Sequence, residues 1–125
     1  MTYQDINDMT EELTGVPSAY YEFTDRDDIA PPFSVFYYTT DHDFVADDSN
    51  YQKISRFVWE LYTDVKDFTT EASMESILAS HGIVWTKYEE YDDDQRLHMT
   101  RYEADIVITP VVTATTTTTE EINNG

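Results

Sequence analysis

Three runs of carboxylates in this chain could supply the oxygen ligands of a hard cation. They lie at 25–28, 41–48 and 92–94 and hold Asp25, Asp27, Asp28, Asp41, Asp43, Asp47, Asp48, Asp92, Asp93 and Asp94. Calcium prefers oxygen ligands of this kind. None of the runs has the central glycine and terminal glutamate of a calcium-binding loop, so we predict exposed acidic loops without a dedicated metal site.

The three histidines do not form a metal-binding or catalytic motif. His42, His81 and His98 fall in three different predicted elements, and none is three or four residues from another. His42 stands between two aspartates, and this pattern could supply histidine and carboxylate ligands to a metal ion. The segment more simply fits a solvated acidic loop. We expect His81 to interact with the last carbonyls of a helix and His98 to lie on the surface of a sheet.

Other reactive motifs are missing from the sequence. The chain has no cysteine, which excludes thiol catalysis, disulfides and cysteine-ligated zinc. Its three glycines, Gly15, Gly82 and Gly125, do not form a phosphate-binding loop, and no Gly-x-Ser-x-Gly motif occurs. We therefore predict a protein that is not an enzyme and that uses no cofactor.

The net charge is strongly negative. A formal charge of −19, from 26 acidic and 7 basic residues, disfavours binding to nucleic-acid phosphates or anionic lipids. It fits a basic partner, a surface that repels DNA or a salt-rich habitat. The N-terminus is neither basic nor apolar, and no window approaches the roughly 20 apolar residues of a membrane span, so we expect a soluble, cytoplasmically made chain.

The length of 125 residues predicts a single domain. Apolar residues recur at helical spacing over 2–14, which predicts a short N-terminal helix ended by Gly15. Strands are predicted over 18–23, 33–40 and 51–63. In the last of these strands, apolar residues at Phe57, Trp59 and Leu61 alternate with a mixed set, so one face should belong to the core.

A second helix is predicted to start within 67–71, with Thr69 or Thr70 as its cap, and to be closed by Gly82. Strands over 83–91 and 95–109 flank a turn at 92–94. The predicted fold is α+β, a single small domain with an antiparallel or mixed sheet of about four to five strands and a helix packed on one face. The predicted core contains Val35, Phe57, Trp59, Leu61, Met74, Ile77, Leu78, Trp85, Tyr102 and Ile106.

Two parts are predicted along the chain, a domain over 1–109 and a threonine-rich tail over 110–125. The tail begins at Pro110 and continues as Val-Val-Thr-Ala followed by five threonines. It fits either a flexible, solvated end or a β-branched segment that becomes ordered as an added strand when subunits assemble.

Several short motifs carry a resemblance over about residues 10 to 109. They are Gly15 to Tyr21, Ala30 to Phe33, Glu60 to Asp64 followed by Lys66-Asp67, His81-Gly82-Ile83, Trp85 to Tyr91 and Arg101 to Ile106. These segments resemble the tail terminators, small tail-completion and head–tail joining proteins of long-tailed bacteriophages and prophages. The strong acidity and the threonine-rich tail depart from that family's pattern.

The resemblance implies a structural virion protein of the tail or neck, assembled in the host cytoplasm. Such a subunit forms a homo-oligomer, a hexameric ring that caps the major tail tube protein and docks the head–tail connector or stopper. DNA would pass through the ring without sequence-specific binding, and no membrane is involved. The ten aspartates named above are then candidate assembly or channel-facing positions, because acidic loops repel DNA phosphates.

Two other interpretations remain open. A head-side neck adaptor or stopper would act at the same junction. An acidic DNA mimic would instead occupy the basic groove of a nucleic-acid enzyme, and it should carry its carboxylates along one continuous face, whereas most acids here fall in predicted loops and turns.

Overall fold

The computed structural model describes residues 1–21, 29–41, 44–45 and 51–109. In chain order the elements are α1 (Tyr3–Thr10), β1 (Ser18–Tyr20), β2 (Phe33–Asp41), β3 (Phe44–Val45), β4 (Tyr51–Thr63), α2 (Phe68–Ser80), β5 (Thr86–Asp92) and β6 (Leu97–Ile108). Among the described residues, neither helix is long and apolar enough to span a bilayer.

The strands form one mixed sheet in the order β1-β2-β4-β6-β5, and the short β3 also pairs with β4. β1 runs parallel to β2, and the other pairs are antiparallel. Long antiparallel strands alternate their side chains between two faces. The α+β class and the mixed sheet with a short N-terminal helix are therefore confirmed.

The hydrophobic core lies between the helices and one face of the sheet. In the register of the sheet, Phe36, Trp59 and Tyr102 lie side by side on β2, β4 and β6. Trp59 is fully buried, and its indole N–H donates to Ser34 Oγ at 3.3 Å. Met9 of α1 and Met74 of α2 pack on this layer, so the predicted core face of β4 is confirmed.

Helix α1 is shorter than the sequence predicts. Thr2 accepts a hydrogen bond from the Asp5 backbone while the Asp5 carboxylate accepts one from the Thr2 backbone, which fixes the start of the helix. The helix ends at Thr10 and not at Gly15. Leu13 is nevertheless buried, because the turns that follow the helix carry it back to the core.

Helix α2 is capped by Asp67 and not by Thr69 or Thr70, so the predicted cap was wrong. The Asp67 carboxylate accepts from the Thr70 backbone N–H at 3.0 Å and from its hydroxyl at 2.7 Å. At the other end, Gly82 adopts φ +72°, the left-handed conformation that closes a helix and that glycine adopts without strain.

Several strand boundaries and three core residues differ from the prediction. β1 ends at Tyr20, β5 begins only at Thr86, and β6 begins at Leu97 and ends at Ile108. Ile77 and Trp85 are only partly buried against the core. Val35 is buried, but its register partner is Glu60, so it lies on the face of the sheet away from the helices.

Candidate interaction surfaces

A cluster of ionised side chains lies between α2 and the β5–β6 hairpin. Glu71 is only 2% exposed. One of its oxygens binds Lys66 Nζ at 2.7 Å and Lys87 Nζ at 2.9 Å, and the other accepts from the Thr100 hydroxyl at 3.0 Å. We call this set the α2 cluster; its members are Lys66, Glu71, Glu75, Lys87, Glu89, His98, Thr100 and Tyr102.

The outer members of the α2 cluster extend it toward solvent. Glu75 binds Lys87 at 2.8 Å and accepts from the Tyr102 hydroxyl at 2.8 Å. Glu89 binds Lys66 and lies 3.2 Å from His98 Nε2. Two lysines are thus shared by three carboxylates, which ties α2 to the hairpin.

The pKa shifts of the cluster follow from its burial and its internal hydrogen bonds. Burial alone would raise the pKa of Glu71, but hydrogen bonds from the two lysines and Thr100 outweigh burial and lower it. Burial would lower the pKa of Lys66, but its carboxylate partners raise it. Burial, together with the hydrogen bond to Glu75, raises the pKa of Tyr102. Near neutral pH, Glu71 is therefore an anion held by two cations and a hydroxyl, and Tyr102 is a neutral hydrogen-bond donor.

One part of this cluster has ligand atoms close enough for a metal ion. Single ligand atoms of Glu71, Glu89 and His98 lie within 4.8 Å of one another. The ammonium group of Lys66, however, binds both glutamates. A cation would have to displace this lysine, so the geometry favours an internal ion-pair network over a metal centre.

A second polar network covers the face of the sheet away from the helices. Glu60 is 7% exposed and accepts from the hydroxyls of Tyr37 and Tyr62, each at 2.7 Å. Arg101 Nη1 lies 3.8 Å from the same carboxylate. Burial, reinforced by the bond to Glu60, raises the pKa of Tyr37, so this tyrosine is a hydrogen-bond donor at neutral pH.

The arginines of this face join neighbouring strands. Arg101 binds Glu103 at 2.9 Å and lies 5.0 Å above the ring of Tyr88. Arg56 bridges Glu103 at 3.2 Å and Asp105 at 3.3 Å. These ion pairs connect β4, β6 and β5. The face therefore presents a polar layer to any partner.

The two ends of the sheet differ in length and exposure. β1 contributes three residues at one end, and β5 contributes seven at the other. Every residue of β5 is exposed, and on its outer side no strand pairs with it among the described residues. An unpaired strand edge offers a row of backbone donors and acceptors to another chain.

An exposed apolar patch lies where β4 leads into α2. Val65 is 73% exposed and Phe68 is 72% exposed. Next to them a groove of about 450 Å³ is also lined by Pro31 and Pro32. Large apolar side chains exposed together commonly mark contact surfaces.

The predicted site residues can be located only in part. Asp92 ends β5, and Asp93 and Asp94 form the exposed turn of the hairpin. Asp41 ends β2, but its side chain lies outside the described part. The remaining predicted positions also lie outside the described residues: Asp25, Asp27, Asp28, Asp43, Asp47 and Asp48.

Two of the three histidines are described. His81 follows the last residue of α2, as predicted, but its Nε2 contacts Glu12 at 2.7 Å, a partner that the sequence did not indicate. His98 lies on the helix-covered face and its side chain is 21% exposed, so it is less superficial than predicted. His42 lies outside the described residues.

Sequence reasoning missed the central residues of both networks. Neither Glu71 nor Glu60 was predicted to lie at the centre of a polar network. A signal for Glu71 did exist: the helix presents acids at 71 and 75, one turn apart on the same side as Met74 and Leu78. Acids on the buried side of a helix require cations nearby, and these come from Lys66 and Lys87.

No protein-family model matches the chain, and no curated protein matches it. A solved structure described as the virion of a native gene transfer agent (GTA) particle contains a chain of similar fold. The similarity has a TM-score of 0.50 and covers 84% of this chain and 90% of that one, at 10% sequence identity. At this identity the likeness establishes a shared fold.

Proposed function

We propose that this chain is a structural subunit of a phage-like virion, and that it acts as a ring of identical copies. The ring would cap the end of the tail tube and join it to the head connector. The observation that carries the proposal is the fold shared with a GTA virion chain over 84% of this chain and 90% of that one. The sequence motifs that resemble tail terminators point in the same direction.

The exposed strand edge of the sheet supports an assembly role. β5 is seven residues long and exposed throughout, which is a liability in an isolated subunit. In a closed ring, one repeated contact can cover such an edge in every copy. The apolar side chains of Val65 and Phe68 supply a further surface suited to subunit contact.

The charge distribution supports passage of DNA through such a ring. The hairpin turn at Asp93 and Asp94 is acidic and exposed. If this turn lines the channel, it repels phosphates and lets a genome pass without adhering, the opposite of binding driven by counterion release. Channel lining by this turn and by the other predicted aspartates is part of the proposal.

The described acids do not favour the DNA-mimic alternative. A mimic should present free carboxylates along one face. Here Glu71 and Glu89 lie on one face of the sheet, Glu60 and Glu103 lie on the other, and these four are ion-paired to lysine or arginine.

Binding to isolated tail tubes of the corresponding particle tests the proposal. We expect rings at the tube ends by electron microscopy, and a species several times the 14.6 kDa subunit mass by light scattering. A head-side adaptor would instead bind the head connector and leave the tubes bare. A monomer that binds neither the tube nor the connector, and that displaces DNA from a basic enzyme, would show the proposal to be wrong.

A further inference from the structure

The outer edge of β5 and the segment after β6 are complementary in length and charge. β5 offers seven exposed residues, about 24 Å of strand at 3.4 Å per residue. Residues 111–119 follow the end of the described chain and could span about 30 Å if extended. All of them except Ala114 are β-branched, the residue type that favours strands.

The charge of the two segments makes the pairing selective. The edge strand carries Glu89, Glu90 and Asp92 against the single cation Lys87, so an acidic strand beside it would be repelled. Residues 106–119 contain no ionisable side chain. A neutral strand can therefore approach this edge of a −19 chain at no electrostatic cost.

Geometry directs this segment to another copy and not to its own subunit. Glu103 pairs with Thr86, the first residue of β5, and Thr109 lies six residues, about 20 Å, beyond that point. To reach the outer edge of its own β5, the chain after Thr109 would have to run back over these roughly 20 Å and cross two strand spacings of about 4.8 Å. This path would use about seven residues. The part of the tail that could lie beside most of its own β5 would then be the C-terminal end, which contains the acids Glu120 and Glu121.

The short edge strand is a poorer partner for the same site. β1 has three residues, so direct edge-to-edge pairing between subunits would leave more than half of β5 without hydrogen bonds. Pro110 stops β6 from continuing, because proline lacks the N–H needed for a sheet ladder. β6 ends at Ile108, and the neutral, β-branched residues begin after Pro110 in the sequence.

We propose that residues 111–119 of one subunit add as a strand to the outer edge of β5 in the next subunit. This inference rests on the proposed ring and specifies one of its contacts. Backbone hydrogen bonds along the added strand would supply the affinity. The same contact repeated around the ring would cover β5 in every copy.

Cysteine pairing tests the inference directly, because the natural chain has no cysteine. Copies carrying Glu90→Cys are mixed with differently tagged copies carrying Thr115→Cys or Thr116→Cys. The two tail positions are tried separately because neighbouring strand residues point to opposite faces. We expect mild oxidation to give disulfide-linked pairs of unlike copies. Ser76→Cys, on the exposed side of α2, serves as the matched control and should not cross-link to either tail position.

A second pair of variants tests the pairing without cysteine. Thr116→Pro removes a backbone donor, and Thr116→Val keeps both the donor and the β-branched shape. We expect the proline variant to need about tenfold more protein for half-assembly, the effect of losing roughly 1.4 kcal/mol. The valine variant should assemble like the natural chain.

The outcomes separate this inference from the proposed function. If rings form on tubes but unlike copies do not cross-link and Thr116→Pro assembles normally, the strand addition is wrong and the ring stands. A chain that carries both Glu90→Cys and Thr115→Cys and forms the disulfide within itself at high dilution would also overturn it. If the natural chain never assembles on tubes, both proposals fail.

Discussion

At the scale of single residues, the α2 cluster explains how an acidic chain stabilises its own fold. Glu71 is almost fully buried, yet two lysines and a hydroxyl surround it. Burying a lone carboxylate costs several kcal/mol, whereas a paired and hydrogen-bonded carboxylate largely recovers that cost. The cluster therefore makes α2 dependent on ionisation of its acids.

We predict that Glu71→Gln destabilises the protein by roughly 1–3 kcal/mol at pH 7, because the amide leaves the lysines with one anion fewer. The pKa of Glu71 lies below its ordinary value of 4.5. Its stabilisation is therefore complete above the unfolded-state pKa and is lost as the pH falls through the folded-state pKa. Urea unfolding at several pH values should show the difference between variant and natural chain shrinking below about pH 4.5.

Glu90→Gln is the matched control for this measurement. The side chain of Glu90 is 64% exposed and lies 3.6 Å from Arg101, so its substitution should change the free energy of unfolding by less than about 1 kcal/mol. A Glu71→Gln penalty that stays constant from pH 7 to pH 3 would contradict the proposed origin of the effect.

The sequence predicts the apolar residues of the core better than the charged ones. Alternation on β4 identifies Phe57, Trp59 and Leu61 as core, because side-chain direction in a strand depends only on local geometry. The burial of Glu71 depends on Lys66 from the preceding loop and Lys87 from β5. No local pattern reveals which distant side chains fold back onto a given acid.

At the scale of elements, the two ends of α2 are fixed by local chemistry. Asp67 caps the first turn through the backbone N–H of Thr70, and Gly82 closes the last turn with a left-handed conformation. The sequence predicts the glycine, since few other residues adopt this conformation easily. It does not distinguish Asp67 from Thr69 and Thr70, because all three are acceptable caps.

We predict that Asp67→Ala lowers the free energy of unfolding by about 1 kcal/mol, through the loss of the cap of α2. Asp67→Asn should cost much less, because asparagine caps a helix about as well. Thermal unfolding followed by circular dichroism would measure both variants. Equal losses for the two substitutions would indicate that the charge of Asp67, and not its capping bond, provides the stability.

At the scale of the whole molecule, a charge of −19 opposes folding through self-repulsion. Four of the seven basic residues, Arg56, Lys66, Lys87 and Arg101, each bind at least two carboxylates on β4, β5, β6 or α2. In the part of the chain that the structure describes, these four cations lie on or beside the strands β4, β6 and β5.

We predict that the melting temperature rises when NaCl is increased from about 0.1 M to about 1 M, because the screening length falls from about 10 Å to about 3 Å. Repulsion among exposed acids is screened strongly, whereas the α2 cluster is partly buried and is screened less. Differential scanning calorimetry would measure the shift. A melting temperature that falls with salt would mean that the ion pairs outweigh the repulsion.

The two acids of α2 both bind the lysines beneath the helix, which leaves the outer face of the helix without charge. Glu71 and Glu75 are the only ionisable residues of this helix, and both bind the lysines beneath it. The solvent-facing side of the helix, with Ala72, Ser73 and Ser76, thus carries no formal charge. A cationic partner therefore gains no electrostatic attraction from this helix face, and steering should favour its approach to acidic surfaces such as the hairpin turn.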